Sequence, residues 1–293
     1  MGRLIVNADD FGLTQGVNRA VAELHAAGAV TSATLMAQGT AGGEAIAIAL
    51  KTPSLGVGCH VVLVDGKPAL SPSDIPRLAD QSNGHFRPTL WEFLRAVHSH
   101  GPWTKVSALD SEIEAETAAQ IAQLQARGLR LTHVDTHKHT HMFPAVLRPV
   151  LRAARAAGIR TVRNPFEPAW SRRATPRSAL LRRAQLSLLQ HLQPTFRRIV
   201  AEEGFTTTDG AIGVLATGQL DAALISALLR DLPEGTWELV THPGANDADL
   251  DRVRTRLRAS REIERRALQS IQPRLGLDMI SFAQLSANGT PPQ

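Results

Sequence analysis

Leu4-Ile5-Val6-Asn7-Ala8-Asp9-Asp10-Phe11-Gly12-Leu13-Thr14 is the segment from which the architecture can be worked out. Its apolar start reads as a strand over Leu4–Val6. Thr14 then reads as the cap of a helix with apolar positions Val17, Val21 and Leu24, ending near Gly28. Val30–Met36 reads as a second strand, completing a strand–helix–strand unit.

The alternation continues. An Ala-rich helix is expected over Gly43–Leu50 and a strand over Val57–Val64, followed by a Pro- and Gly-punctuated stretch, Asp65–Pro88, that fits no regular element. Ser111 with Glu114 reads as a capping box opening a helix that runs to about Arg127. Further strands are expected at Leu131–Val134, Ile159–Val162, Ala211–Leu215 and Trp237–Val240. About seven strands separated mostly by helices predict an α/β fold with a parallel sheet or barrel. No internal repeat or linker divides the chain, so residues 1–293 are expected to form one domain. Asn164–Ser178, with three prolines and an arginine cluster, reads as weakly ordered, and Asn288–Gln293 as a frayed tail.

Charge is unevenly spread. The 293 residues carry 32 basic and 27 acidic side chains, net +5. Arg148–Arg198 holds 12 Arg, no Lys and one acid, Glu167, leaving 20 basic against 26 acidic residues elsewhere. The chain reads as an acidic body with one basic segment. A single cysteine, Cys59, excludes a disulfide framework and a multi-cysteine zinc site. No apolar run reaches the roughly 18 residues of a membrane span. Two acids stand where a secretion signal needs an apolar run, so a cytoplasmic protein is expected.

Four strand ends carry ligand-type groups, and in such folds those ends face the active-site mouth. Asp9 and Asp10 are adjacent carboxylates that repel unless a cation or a shared proton relieves them; the alternative is a helix entry with one Asp capping and the other solvated. His133, Asp135, His137, His139 and His141 occupy every second position, and an extended backbone would place all five on one face. Imidazole and carboxylate together suit Zn, Mn or Co. His60 and His242 close two further strands, while Cys59 should face away from His60 as a small buried hydrophobe. His25, His85, His98, His100 and His191 fall in helices or irregular stretches and read as structural or surface groups.

At these residues the sequence resembles the YdjC-like carbohydrate deacetylases, which include the chitooligosaccharide deacetylases. The resemblance is carried by IVNADDFGLT, VTSATLM, GVGCHVVLVDGKPAL, THVDTHKHTHMFP and the late THPG, and it spans nearly the whole chain. Within the family it is most like the branch associated with hopanoid lipid biosynthesis, through VLVDGKPALSPSDIPRLAD and the Arg- and Pro-rich middle. The resemblance implies a distorted, roughly seven-stranded (β/α) barrel of the polysaccharide-deacetylase (NodB-like) type and a divalent metal, Mg2+ or Zn2+. It places Asp10, His60 and His137 as metal ligands, Asp9 as general base and His242 as general acid. Lys138 interrupts a histidine run that is continuous in some members.

The implied activity is removal of an N-acetyl group from an amino sugar carried on a hopanoid lipid, with soluble chitooligosaccharides as the alternative. Expected partners are the acetylated sugar, a membrane surface contacted peripherally at its inner face through Arg148–Arg198, and a second copy of the chain. A solvated helix face is the competing reading of that basic segment. Two rival functions stand beside this one. A metal-dependent phosphoesterase would call for a second metal, for which Asp135, His139 and His141 are available. Binding of nucleic acid is suggested by the arginine cluster but opposed by the absence of a recognised module and by the acidic body.

Overall fold

The computed structural model describes residues 2–98, 108–175, 179–270 and 277–288. Among these described residues, nine strands form one sheet: β1 (Arg3–Phe11), β2 (Ser32–Leu35), β3 (Gly56–Val61), β4 (Val134–Thr136), β5 (Thr161–Val162), β6 (Thr206–Thr207), β7 (Gly210–Ile212), β8 (Thr236–Thr241) and β9 (Asp278–Met279). Their order is β6-β5-β4-β3-β2-β1-β8-β7, and β9 joins β1 at Arg3 and Leu4, ahead of where β2 joins at Asn7. Every pairing between these strands is parallel. Eight strands lie along one path, which curls into a half-barrel. All seven expected strands are present, the one expected at Leu131–Val134 displaced to Val134–Thr136, and β6 and β9, of two residues each, are additions.

Among the same residues eleven α-helices accompany the sheet: α1 (Gln15–Ala26), α2 (Gly42–Lys51), α3 (Leu90–His98), α4 (Ala108–Ala126), α5 (Pro144–Ala156), α6 (Ala169–Arg173), α7 (Leu180–Leu189), α8 (Gln193–Glu202), α9 (Ala222–Leu229), α10 (Arg258–Ser270) and α11 (Phe282–Asn288). Thr14 caps α1, its hydroxyl accepting from the Val17 N–H at 3.3 Å, and Val17, Val21 and Leu24 are buried. Gly28, at φ 75, closes it. In β1 eight of nine residues are buried, as a parallel strand covered on both faces requires.

Three local expectations change. Ser111 lies inside α4, which begins at Ala108, so Ser111 and Glu114 do not form an entry box. The stretch from Asn164 is packed: Asn164, Glu167, Ser171 and Thr175 are all buried. Glu167 fastens it, accepting from Ser171 and from the Gly213 and Leu215 backbone. The expected tail beyond Asn288 lies outside the described residues, as does His100.

The unassigned stretch after β3 owes its course to α4. Glu112, Glu116 and Gln120, four residues apart on one helix face, reach across to it. Glu112 accepts from the Arg77 and Leu78 N–H groups at 2.8 and 2.9 Å, and Glu116 from those of Ala69 and Leu70 at 2.7 and 3.0 Å. Gln120 bonds both backbone groups of Val62. Polar groups that a loop would otherwise leave unpaired are satisfied by side chains of one helix.

Candidate active site

One arginine demonstrates the curl of the sheet. Arg163 follows β5, while Asp9 is in β1 and Glu238 in β8. In a flat sheet β5 and β1 are four strand spacings apart, about 19 Å, far beyond one side chain. Yet Arg163 donates to both Asp9 oxygens at 2.8 and 2.5 Å and to Glu238 Oε1 at 2.8 Å, and it also pairs with Asp135 of β4. Its side chain is fully buried.

Asp9 and Asp10 reach the same mouth because β1 is irregular. In a regular strand, neighbours face opposite sides. Here the register of β1 on β2 shifts between Ala8 and Phe11, and Asp10 takes φ 63, a left-handed conformation that Asp tolerates. Both carboxylates then point into the half-barrel.

Beyond β4 the backbone is not extended. Thr136 ends the strand, and Lys138 and His139, at φ 56 and 55, reverse the chain. Five alternating groups are therefore not displayed on one face. Asp135 and His137 join the cluster. His133 is buried, stacked on Phe282 with ring centroids 3.8 Å apart. It lies so close to Gly58 that a Cβ there would stand 2.5 Å from the imidazole. His141 turns back to Thr136 Oγ1 at 2.8 Å and the Arg163 carbonyl at 3.2 Å. His139 is half-buried, its ring centroid 6.3 Å from that of His141. Lys138 swings to the rim and donates to Asp65 at 2.6 Å.

Three ligand atoms converge. His60 Nε2 lies 3.3 Å from His137 Nδ1 and 3.6 Å from Asp10 Oδ1, and His137 Nδ1 lies 3.5 Å from that same oxygen. Ligands about 2.1 Å from a shared tetrahedral ion stand about 3.4 Å apart, so the spacing fits a divalent cation. Asp10 Oδ1 is buried and makes no hydrogen bond, which also fits. Its other oxygen is held by Arg261. His60 is oriented from behind, Nδ1 bonding Asp135 Oδ1 at 2.8 Å, the arrangement that leaves Nε2 free to ligate.

Electrostatics separate the groups. Burial alone would raise Asp9, but the charge and hydrogen bonds of Arg163 hold its carboxyl well below the usual range. Burial would likewise raise Asp10, and Arg261 outweighs it. Burial lowers the His242 imidazole to about 4 despite Asp9 and Asp10, so it is neutral at pH 7. His242 Nε2 lies 3.7 Å from Asp9 Oδ2, and its backbone N–H donates to Glu264 at 2.7 Å. Burial raises Glu238 and Glu264 to about 7. Burial and the nearby Asp135 charge push the Cys59 thiol upward, as its buried position predicts.

The structure thus brings together Asp9, Asp10, His60, His137 and His242 from four strand ends. Arg163, Glu238, Arg261 and Glu264 were not singled out from the sequence. Arg163 had a signal, since it directly follows an expected strand, and so did Glu238, a lone acid inside an apolar strand. Arg261 and Glu264 had none, because the RASREIERR run of α10 looks like any charged helix face.

These features define a parallel α/β half-barrel with a cation-type Asp/His cluster and an Asp–His pair at the carboxyl ends of its strands. The chain belongs to the YdjC-like protein family, whose pattern matches residues 3–277. A carbohydrate deacetylase of Thermoanaerobacter pseudethanolicus is 28% identical over 268 residues, covering 92% of this chain and 91% of that protein. One from Brevibacillus brevis is 43% identical over 152 residues, 52% of this chain and 55% of its own length. A chitooligosaccharide deacetylase of Salmonella schwarzengrund is 38% identical over 157 residues, 53% and 57%. With the last two relatives the matched stretch therefore spans little more than half their length. Among solved structures, a proposed cellobiose-phosphate cleavage protein of Enterococcus faecalis superposes with a TM-score of 0.74 at 25% identity, over 97% of this chain and 98% of that one. The lactam utilization protein of Thermus thermophilus shares the fold, with a TM-score of 0.51 at 15% identity, over 95% of this chain and 99% of that one.

Proposed function

We propose that the protein is a divalent-metal-dependent hydrolase that removes the N-acetyl group of an amino sugar. One observation carries the reading: a three-ligand Asp10–His60–His137 cluster with the Asp9–His242 pair directly beside it. The names of the relatives support the same reaction.

Amide hydrolysis needs a nucleophile at neutral pH, a sink for charge on the carbonyl oxygen, and a proton for the departing nitrogen. Asp10, His60 and His137 would hold the ion, which when bound supplies Lewis acidity toward water and the acyl carbonyl. Asp9, kept ionised by Arg163, takes the proton of the attacking water as its oxygen bonds to the acyl carbon. The neutral His242 imidazole is the next acceptor. The developing anionic adduct and Asp9 raise its proton affinity, and it delivers that same proton to the nitrogen as the C–N bond breaks. Acetic acid, which keeps the second water proton, and the free amine leave, ionising to acetate and ammonium in solution, and Asp9 and His242 return to their starting states.

The helix over the β7 end of the mouth supports a reading of the sugar's carrier. Leu186 of α7 packs against Ala211, Val214 and Val240, and Arg182 bonds the Val214 and Thr217 carbonyls. Leu180, Leu181 and Leu188 of the same helix are 85%, 72% and 71% exposed. An apolar ledge beside the mouth favours a lipid-borne sugar such as an N-acetylglucosaminyl hopanoid over a soluble oligosaccharide. Incubating the protein with an N-acetylglucosaminyl lipid and with chitobiose, and reading product masses, tests both levels. Loss of an acetyl group from the lipid substrate is expected. Loss from chitobiose alone would replace the carrier, and loss from neither, with phosphate released from a phosphoester, would replace the reaction.

A further inference from the structure

We infer that Arg163 occupies the place of a second metal ion and thereby makes this mouth a one-metal centre. The inference rests on the single-ion reading of Asp10, His60 and His137.

Behind that triad lies a second set of ligand-type groups. Atoms of Asp9, His60 and Asp135 lie within 4.8 Å of one another, and each of these residues is buried. Glu238 adds a third carboxylate, 0% exposed, whose Oε2 makes no hydrogen bond. Three buried carboxylates this close repel strongly unless a cation sits among them. The guanidinium of Arg163 is that cation: it bonds both oxygens of Asp9, reaches Glu238 Oε1 from Nε and Nη2 at 2.8 and 2.7 Å, and pairs with Asp135 Oδ2. Five N–H donors in a fixed plane can serve all three acids while gripping Asp9 by both oxygens, more bonds than the three donors of an ammonium can make.

The occupancy has a chemical consequence. Two-metal hydrolases hold two ions about 3.5–4 Å apart, bridged by ligands that face both. Asp135 meets the first site only through the back of His60, and its other oxygen is committed to Arg163, so it bridges nothing. A side chain tethered by a peptide cannot accept an electron pair from a phosphate oxygen or carry water. The centre is thereby restricted to chemistry needing one Lewis acid, and Asp9 remains a proton acceptor instead of a metal ligand. Arg163 acts as a positioning residue that sets metal stoichiometry.

The test counts ions. Purified protein is titrated with Mn2+, which suits carboxylate-rich ligand sets, and bound metal per chain is measured by calorimetry and elemental analysis. One ion is expected for the natural chain and two for Arg163→Ala, with the paramagnetic resonance signal of the second Mn2+ coupled to the first. Arg163→Lys, which keeps a cation there, should bind one. Because Arg163→Ala leaves three carboxylates unpaired, Arg163→Ala/Glu238→Gln is measured beside it, with circular dichroism to verify the fold; it too should take up the extra ion. A folded double variant holding a single ion would overturn the inference, as would a second ion in Arg163→Lys. Asp10→Asn separates this from the reading beneath it. In the natural background it should bind no ion, and combined with Arg163→Ala it should bind one. An ion retained by Asp10→Asn alone would refute the triad assignment, while the gain on removing Arg163 would still judge the inference.

Discussion

The two ligand-rich stretches of this chain, Asp9–Asp10 and His133–His141, are opposites in how they reach the mouth. In the first, neighbours that a regular strand would send to opposite faces are turned together by a register shift and a left-handed Asp10. In the second, groups that an extended strand would have gathered are scattered by the left-handed Lys138–His139 pair. Two backbone breaks, each at φ near 60, do contrary work. Ligand placement here is decided where the strands stop being regular.

The comparison can be broken most sharply at the bulge. Asp10→Ala should abolish bound divalent metal and deacetylation together; metal analysis showing normal content would mean that the bulge does not serve the ion. Asp9→Asn should keep the metal and lose about 10²–10⁴-fold in turnover, the ordinary worth of a positioned acid–base group. Turnover near that of the natural chain would remove Asp9 from proton transfer.

The acids behind the mouth give a pH signature. Glu264 is raised by burial from 4.5 to about 7. Between those values the folded chain holds a proton that the unfolded chain has released, so stability falls as pH rises through that window and stays lower above it. Glu264→Gln keeps an acceptor for the His242 N–H and should add on the order of a few kcal/mol at pH 8 while changing nothing near pH 4. Thermal midpoints with the same pH slope in both proteins would contradict this.

At the second stretch the effects are smaller. Lys138→Ile forces a β-branched side chain into φ 56 and should cost about 1–3 kcal/mol in denaturant unfolding, whereas Lys138→Gly should cost less. His139→Ala should leave metal affinity and turnover unchanged; a marked loss in either would return His139 to the site and weaken the contrast between the two stretches.

Much of the fold was legible because parallel strands buried on both faces leave continuous apolar runs, as at Leu4–Val6 and Trp237–Val240. The cap at Thr14 was legible for the same reason, a local hydrogen bond with a local signature. What stayed hidden is non-local. The charges of Arg148, Arg152 and Arg155 read as part of a basic segment, yet they pair with Glu202, Glu203 and Glu114 outside it. The order of 164–175 comes from a buried Glu167 that bonds residues some fifty positions later. In the candidate site, residue types at strand ends revealed the ligands, but which of five alternating groups would stay depended on two left-handed residues. Lys does not announce that conformation, and His, though enriched in it, adopts it too rarely to predict it.

The row of Glu112, Glu116 and Gln120 on α4 moors the long excursion after β3, whose Ile75, Leu78 and Phe86 also join the core shared with the strands. Asp65 at its near end meets Lys138 at the lip of the mouth, 2.6 Å away. Through that contact the excursion forms part of the lip, so a course set by the side chains of one helix shapes what the opening admits.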